Sequence, residues 1–454
     1  MSTPTMTSVF RLAWPLGINA LLLYGVMMID TALVAPLGEG ALAAMGLAGV
    51  LTGLLIGVIF SLSNAIQILV AQAQGADDQV ALKSALLGGM AVTMAATLCG
   101  LAVVALFAAD LFAAFAHTQL IAADAMGYLR LFAVVILCEA ISQPITCHFN
   151  GTGRPRVPLY SRLAEMPLNI GLSVALIHGL GGLPALGLAG AAAGSAVAAG
   201  FRLVFLTVCL WRFDAQVLRV PGWSQGGFPR VAWFGLVFAL PIAGTFMSNT
   251  LAHSVGALLF ARMDIHAFAA MTIIMPWVMV VGVVMMCWAQ ATGIFVGQLL
   301  GRRAPDAVLS GFLAQGWRVA LGLAGFVSLL YLGASLAFPW IYPDLQPATL
   351  DALWGFLPVL LVLTFPKISN AMCGNTLRAG GDTVYVMNIF LISQWGFRMP
   401  MTALLILYLD APVVWVFALF LAEELVKFPL FHLRFRSGVW RTAMARRRPV
   451  AASS

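Results

Sequence analysis

Residues 14–30 read WPLGINALLLYGVMMID, an apolar run that ends on a carboxylate, Asp30. The next charge is Glu39, so the run is long enough to cross a hydrocarbon core, which takes about 20 residues of helix. The rest of the chain has the same character. Its 454 residues are 61% hydrophobic and 9% charged, with a mean hydropathy of +0.97. Soluble domains carry roughly 25% charged residues, so this composition cannot cover a water-exposed surface. In lipid the backbone must pair internally, which leaves helices or a closed barrel. The alternation of barrel strands is missing. An all-α integral membrane protein is therefore predicted, with twelve transmembrane helices at 9–36, 42–73, 83–109, 122–149, 156–180, 184–211, 230–261, 267–299, 308–337, 348–376, 382–409 and 411–435.

Lys and Arg in the loops give the orientation. One side collects Arg11, Lys83, Arg154, Arg156, Arg162, Arg212, Arg219, Arg230, Arg302, Arg303 and Arg378, with the tail from Arg434 to Arg448. The other side collects Glu39, Asp110, Asp124, Asp344, Asp351 and Asp410, against only Arg130 and Arg262. A multi-pass protein of the cell (inner) membrane is expected, with both termini cytoplasmic. Met1 to Ser8 lead straight into the first helix, so no cleaved signal peptide is expected. The net charge of +7 follows from this asymmetry and calls for no nucleic-acid partner, and the basic tail reads as a solvated segment touching headgroups. Cys99, Cys138, Cys147, Cys209, Cys287 and Cys373 all fall inside spans without metal-ligand spacing, and no metal is expected.

A shift of 226 residues lays the chain on itself. Pro15 falls on Pro241, ALAAM (residues 41–45) on AFAAM (267–271), and VAQAQG (70–75) on VGQLLG (296–301). Six helices separate equivalent points, so the repeats are parallel and two six-helix lobes follow. The domains read as 1–220, with the connecting loop, and 221–454, with the basic tail.

These residues carry a resemblance. WPLGINALLLYGVMMIDTALVAPLGEGALAAMGLAG with ILVAQAQGADD resembles the first two helices of the multidrug and toxic compound extrusion (MATE) family of the MOP superfamily. FNGTGRPRVPLYSRLAEMPLNIGLSVALIHGLGGLPALGLAGAAAGSA resembles its fourth to sixth helices, and VGQLLG and TLRAGGDT their second-half counterparts. The resemblance implies two pseudo-symmetric lobes arranged as a V around a central cavity. It also implies a monomeric secondary-active exporter that exchanges an organic, cationic or amphipathic compound for protons, or for sodium, with no cofactor.

An ionised carboxylate at membrane depth needs a wet cavity or a partner, and Asp30 lies deep in the first span. Asn19 and Asp30 share a helix face, and Pro15 allows that helix to bend. Glu165, Asn169 and Ser173 form one polar stripe on the fifth span, and Arg162 is close enough to pair with Glu165. The resemblance assigns cation coupling to Asp30, Asn169, Ser173 and Ser195. Ser173 stands where some relatives carry an acid, which weakens a sodium site. The other reading of Asp30 is a carboxylate near the outer helix end that anchors the adjoining loop, and that of Asn169 and Ser173 is helix-to-helix hydrogen bonding. Asn64 and Gln67 on the second span line the pathway or bond between helices. Asn249 occupies the place where one branch of the family has a seventh-helix glutamate. Glu139 and Lys367, 228 residues apart, are expected to pair across the lobes or to line the cavity. Glu423, Glu424 and Lys427 are expected to pair locally or to reach the interface. A lipid-precursor flippase of the same superfamily would line its cavity with arginines, and Arg398 reads as the one arginine near mid-span. No HExxH, GxSxG or His-Asp constellation supports an enzyme.

Overall fold

The protein, seen in a computed structural model that describes residues 4–447, forms a helix at each of the twelve expected spans. The helices are α1 (Met6–Val34), α2 (Glu39–Gly75), α3 (Gln79–Phe115), α4 (Gln119–Gly151), α5 (Arg156–His178) and α6 (Leu188–Arg219). The second set is α7 (Phe228–Phe260), α8 (Ile265–Gly301), α9 (Asp306–Ile341), α10 (Pro347–Ala379), α11 (Thr383–Leu407) and α12 (Val413–Arg436). Ten of them are long and apolar enough to cross a membrane. The other two, α5 and α12, carry the charges Arg162, Glu165, Glu423, Glu424 and Lys427 that lower their hydropathy. The stretch read as a solvated tail begins instead with a short helix, α13 (Trp440–Arg447). Trp440 is fully buried, and its indole donates to the Phe435 carbonyl at 3.0 Å. The end of the basic tail, with Arg448, lies outside the described residues.

The chain forms two compact units, Ile18–Leu240 and Met1–Gly17 with Pro241–Ser454. The expected division at 220–221 lies in the loop between α6 and α7. The compact units divide inside α1 and α7, at Pro241 and just past Pro15. A proline removes one helical hydrogen bond and weakens the rod at that point.

The internal repeat is visible in backbone detail. α2 ends with the Ala76 amide bonded to the Gln72 carbonyl and the Asp78 amide to the Ala73 carbonyl, around Asp77 at φ 54°. α8 ends in the same pattern, Arg302 to Gln298 and Ala304 to Leu299, around Arg303 at φ 55°. α4 and α10 close alike, with Arg154 bonded to Phe149 around Gly153 and Asp382 bonded to Leu377 around Gly381.

In the first unit, buried ions bind three helices together. Arg202 of α6 bonds Glu139 of α4 and, at 3.1 Å, the Thr146 hydroxyl. Arg162 of α5 pairs with Glu165 at 2.9 Å, as its spacing predicts, and with Glu139 at 3.7 Å. Arg202 also reaches Glu165 at 3.6 Å. The four charges alternate in sign and sum to zero. α5 and α6 approach closely because α6 offers glycine at the contact. A Cβ on Gly194 would stand 2.5 Å from Ser173 Oγ, and one on Gly190 would stand 2.5 Å from the Leu176 carbonyl oxygen.

Two outcomes follow for stability. The left-handed backbone at Arg303 costs about 1 kcal/mol for a residue with a Cβ. Arg303→Gly therefore raises the melting midpoint of detergent-purified protein, and Arg303→Val lowers it. Removing one partner of a buried ion pair costs about 3–5 kcal/mol. Arg202→Met thus lowers the midpoint strongly, and the double variant Glu139→Met, Arg202→Met recovers much of the loss.

Candidate functional site

Asp30 lies near the C-terminal end of α1, one turn before Val34. Asn19 stands earlier on the same helix, and both side chains are half-buried. Asn19 Oδ1 and Asp30 Oδ1 are sealed from the surface and accept no hydrogen bond. Among the described residues no cation pairs with Asp30. Its electrostatic neighbours are Glu165 of α5 and Tyr128 of α4. A carboxylate at membrane depth without a cationic partner needs a wet cavity or an ion that arrives.

One turn beyond Glu165 comes Asn169, which donates to the Ser195 hydroxyl of α6 at 2.9 Å and keeps its own Oδ1 unbonded. Ser173 is fully buried and turns its hydroxyl to the Ala191 carbonyl at 3.5 Å. The fold thus joins Asn169 to Ser195 directly and brings Asp30 within electrostatic reach of the α5 stripe. Ser173 is committed to the α5–α6 contact. On α2, Gln67 is buried where α2 meets α4, with its carbonyl 2.9 Å from where a Gly151 Cβ would stand. Asn64 is half-buried.

Glu139 is occupied by Arg202 and Arg162 of its own unit, so its carboxylate is already neutralised without Lys367. Arg398 is also joined by Arg202 as a mid-span arginine. Arg202 stands about midway between the start of α6 at Leu188 and the break in it at Asp214, where φ is −131° and ψ 25°. A lone arginine in an alanine-rich helix was the available signal. Its partner lies 63 residues earlier and is fixed only by how α4 and α6 pack. Tyr128, stacked on Phe132 at 5.4 Å, carried no signal beyond an aromatic in an apolar run.

The second unit has its own polar assembly. α11 contains a π-helical segment, Ile392–Arg398, which turns Gln394 and Arg398 inward. Such wide turns recur at functional sites. Gln394 donates to Asn249 of α7 and accepts from Ser248 at 2.6 Å, and Trp395 donates to Ser248 at 3.0 Å. Arg398 pairs with Glu423 of α12 at 2.6 Å. Lys427 pairs with Glu423 at 2.7 Å and Glu424 at 3.1 Å, the local pairing expected of these three. Asn370 of α10 donates to Glu424 at 2.8 Å.

Comparison with known proteins bears on both units. The MatE family model matches residues 15–175 and 241–404, one match in each half of the chain. The chain is 29% identical to the probable multidrug resistance protein NorM of Bradyrhizobium diazoefficiens, over 94% of this chain and 92% of that protein. It is 22% identical to the uncharacterized transporter YisQ of Bacillus subtilis, over 95% and 94% of the two chains. Among solved structures, the eukaryotic MATE transporter AtDTX14 superposes with a TM-score of 0.82 at 16% identity, covering 98% of both chains. A MOP superfamily transporter from Pyrococcus furiosus superposes with a TM-score of 0.79 at 17% identity, over 95% of this chain and 96% of that one. The fold is therefore that of the twelve-helix MATE transporters, and the matched segments cover more than half of the sequence. The chain belongs to the MatE family of multidrug and toxic compound extrusion transporters, which are secondary transporters and not enzymes.

Proposed function

We propose that this protein exports amphipathic organic compounds, cations among them, from the cell in exchange for protons, with Asp30 as the group that carries the proton. The observation that carries the reading is Asp30 itself. It is a carboxylate on a membrane-spanning helix with a sealed, unbonded oxygen and no cationic partner among the described residues. The relatives named as multidrug resistance proteins support the choice of cargo.

In the proposed cycle a proton from outside neutralises Asp30. This removes its repulsion with Glu165 and changes how α1 packs beyond the Pro15 bend. The protonated state binds cargo more weakly, so the cargo leaves outward and the proton is released inward. Coupling requires that cargo affinity differ between the two protonation states. Asn169 lies one turn beyond Glu165, is held by its bond to Ser195, and keeps Oδ1 free to accept a hydrogen bond. Sodium would use the same oxygens, but Ser173 supplies no charge where some relatives carry an acid. The buried arginines Arg162 and Arg202 are neutralised by Glu139 and Glu165, which leaves a pyrophosphate no free guanidinium there. The protein works as a monomer in the inner membrane with both termini cytoplasmic, without nucleic acid or cofactor.

The test is efflux of a fluorescent lipophilic cation from proteoliposomes under an imposed pH gradient and then an imposed sodium gradient. Wild-type protein follows the pH gradient, and Asp30→Asn, which mimics the protonated carboxyl, loses transport and binds the dye more weakly than wild type. Transport that tracks sodium alone would replace the proton by sodium at this site. Transport by Asp30→Asn at the wild-type rate would remove Asp30 from the mechanism.

A further inference from the structure

Beyond Pro241, three contacts join α7 to α11. A Cβ on Gly244 would stand 2.8 Å from Met387 Sδ, and one on Gly256 would stand 3.8 Å from Met399 Cε. Between these two, Gln394 donates to Asn249 and accepts from Ser248 at 2.6 Å, while Trp395 donates to Ser248 at 3.0 Å. The first and last contacts are twelve residues apart on both helices, so the seam runs over about three turns. The wide turn is what puts Gln394 on it. Gln394 and Met399 are five residues apart, which on a regular α-helix sets them about 140° apart around the axis. A π turn closes between residues i and i+5, so the segment Ile392–Arg398 brings both side chains to the α7 face.

The first half has no such fastening. The shift of 226 residues that lays Pro15 on Pro241 lays Leu22 and Leu23 of α1 on Ser248 and Asn249 of α7. Two leucines form no side-chain hydrogen bond to a neighbouring helix, whereas buried polar side chains join helices in a membrane. Burial divides the two helices in the same way. Past Pro241, α7 buries Ile242, Thr245, Ser248, Ala252, Gly256 and Phe260, a stripe that recurs every three or four residues. In α1 no residue from Gly17 to Leu33 is buried. A proline removes a helical hydrogen bond and lets the rod bend, unless the segment beyond it is held from outside. The same proline thus precedes a fastened segment in α7 and an unfastened one in α1.

We propose that Gln394 is a positioning residue that locks α7 to α11, so that α7 stays straight beyond Pro241 while the matching segment of α1 is free to bend. The lock is made of uncharged side chains, Gln394, Asn249, Ser248 and Trp395, and it holds whichever ion drives transport. The second unit keeps a fixed wall along this seam, and the two proline helices, alike in sequence, differ in mobility.

The test reads distances between spin labels by pulsed electron paramagnetic resonance, in lipid nanodiscs at acidic and at alkaline pH. One pair is Leu258→Cys on α7 with Trp340→Cys on α9, and the other is Met28→Cys on α1 with Leu106→Cys on α3, all exposed positions. The native thiols that are not buried are removed by Cys99→Ala, Cys138→Ala and Cys209→Ala. At 1.5 Å per residue, a bend of about 20° at the proline carries residue 258 by roughly 9 Å and residue 28 by roughly 7 Å. The parent protein gives one narrow distance for the α7 pair under both conditions, and a shift or spread of that size for the α1 pair. Gln394→Ala broadens the α7 pair by a comparable amount and leaves the α1 pair as it was. Ser248→Ala, which breaks two of the bonds from the α7 side, does the same. An α7 pair as mobile as the α1 pair in the parent protein overturns the lock, and so does an α7 pair that stays narrow in both variants. An α1 pair as still as the α7 pair overturns the contrast between the two helices.

Discussion

The bond between Arg202 and Glu139 is the constraint on which the first unit rests. Arg202 is fully buried in the middle of α6, where neither water nor lipid offers an acceptor. Its guanidinium can exist there only with carboxylates in reach, and those come from α4 and α5. Once that demand is met, the rotation of α4, α5 and α6 about their axes is set. Asn169 then faces Ser195, Ser173 drops against Gly194, and Glu165 is left beside Asp30. The groups proposed to move a proton thus owe their positions to a pair that moves none.

Long apolar runs revealed ten of the twelve helices, and the polar breaks on either side marked α5 and α12, whose charges lower their hydropathy. The repeat was legible too. Tight helix ends such as Gln72–Gly75 and Gln298–Gly301 keep their residues because the turn that follows them is the same. Pairings between helices were hidden. Glu139 and Lys367 occupy matched places in the two halves and carry opposite charges, which made a bond between them attractive on paper. Yet the partner of a buried charge is decided by which faces of neighbouring helices meet, and Glu139 meets Arg202 first. The π-helical turn of α11 was invisible as well, since one extra residue in a turn leaves no mark in an apolar run. The buried Trp440 of α13 was overlooked among the arginines that follow it.

The two halves differ in length where it matters least. The loop between α3 and α4 is residues 116–118, and that between α9 and α10 is residues 342–346. Those two added residues turn the 226-residue shift into a 228-residue one, so the helices on either side stay in phase. The backbone has been copied closely while the side chains within it have diverged. One half sets Glu139 and Glu165 against Arg162 and Arg202, and the other sets Glu423 and Glu424 against Arg398 and Lys427.

The neutrality of the Glu139–Arg162–Glu165–Arg202 quartet has an electrical meaning. A transmembrane voltage does work only on net charge that changes depth. Two cations and two anions carried as one block feel opposing forces that cancel, so the largest collection of ions in the first unit is silent to the membrane potential. Asp30, with no cationic partner among the described residues, is by contrast a charge on which the voltage acts, and protonating it alters how much electrical work the cycle performs.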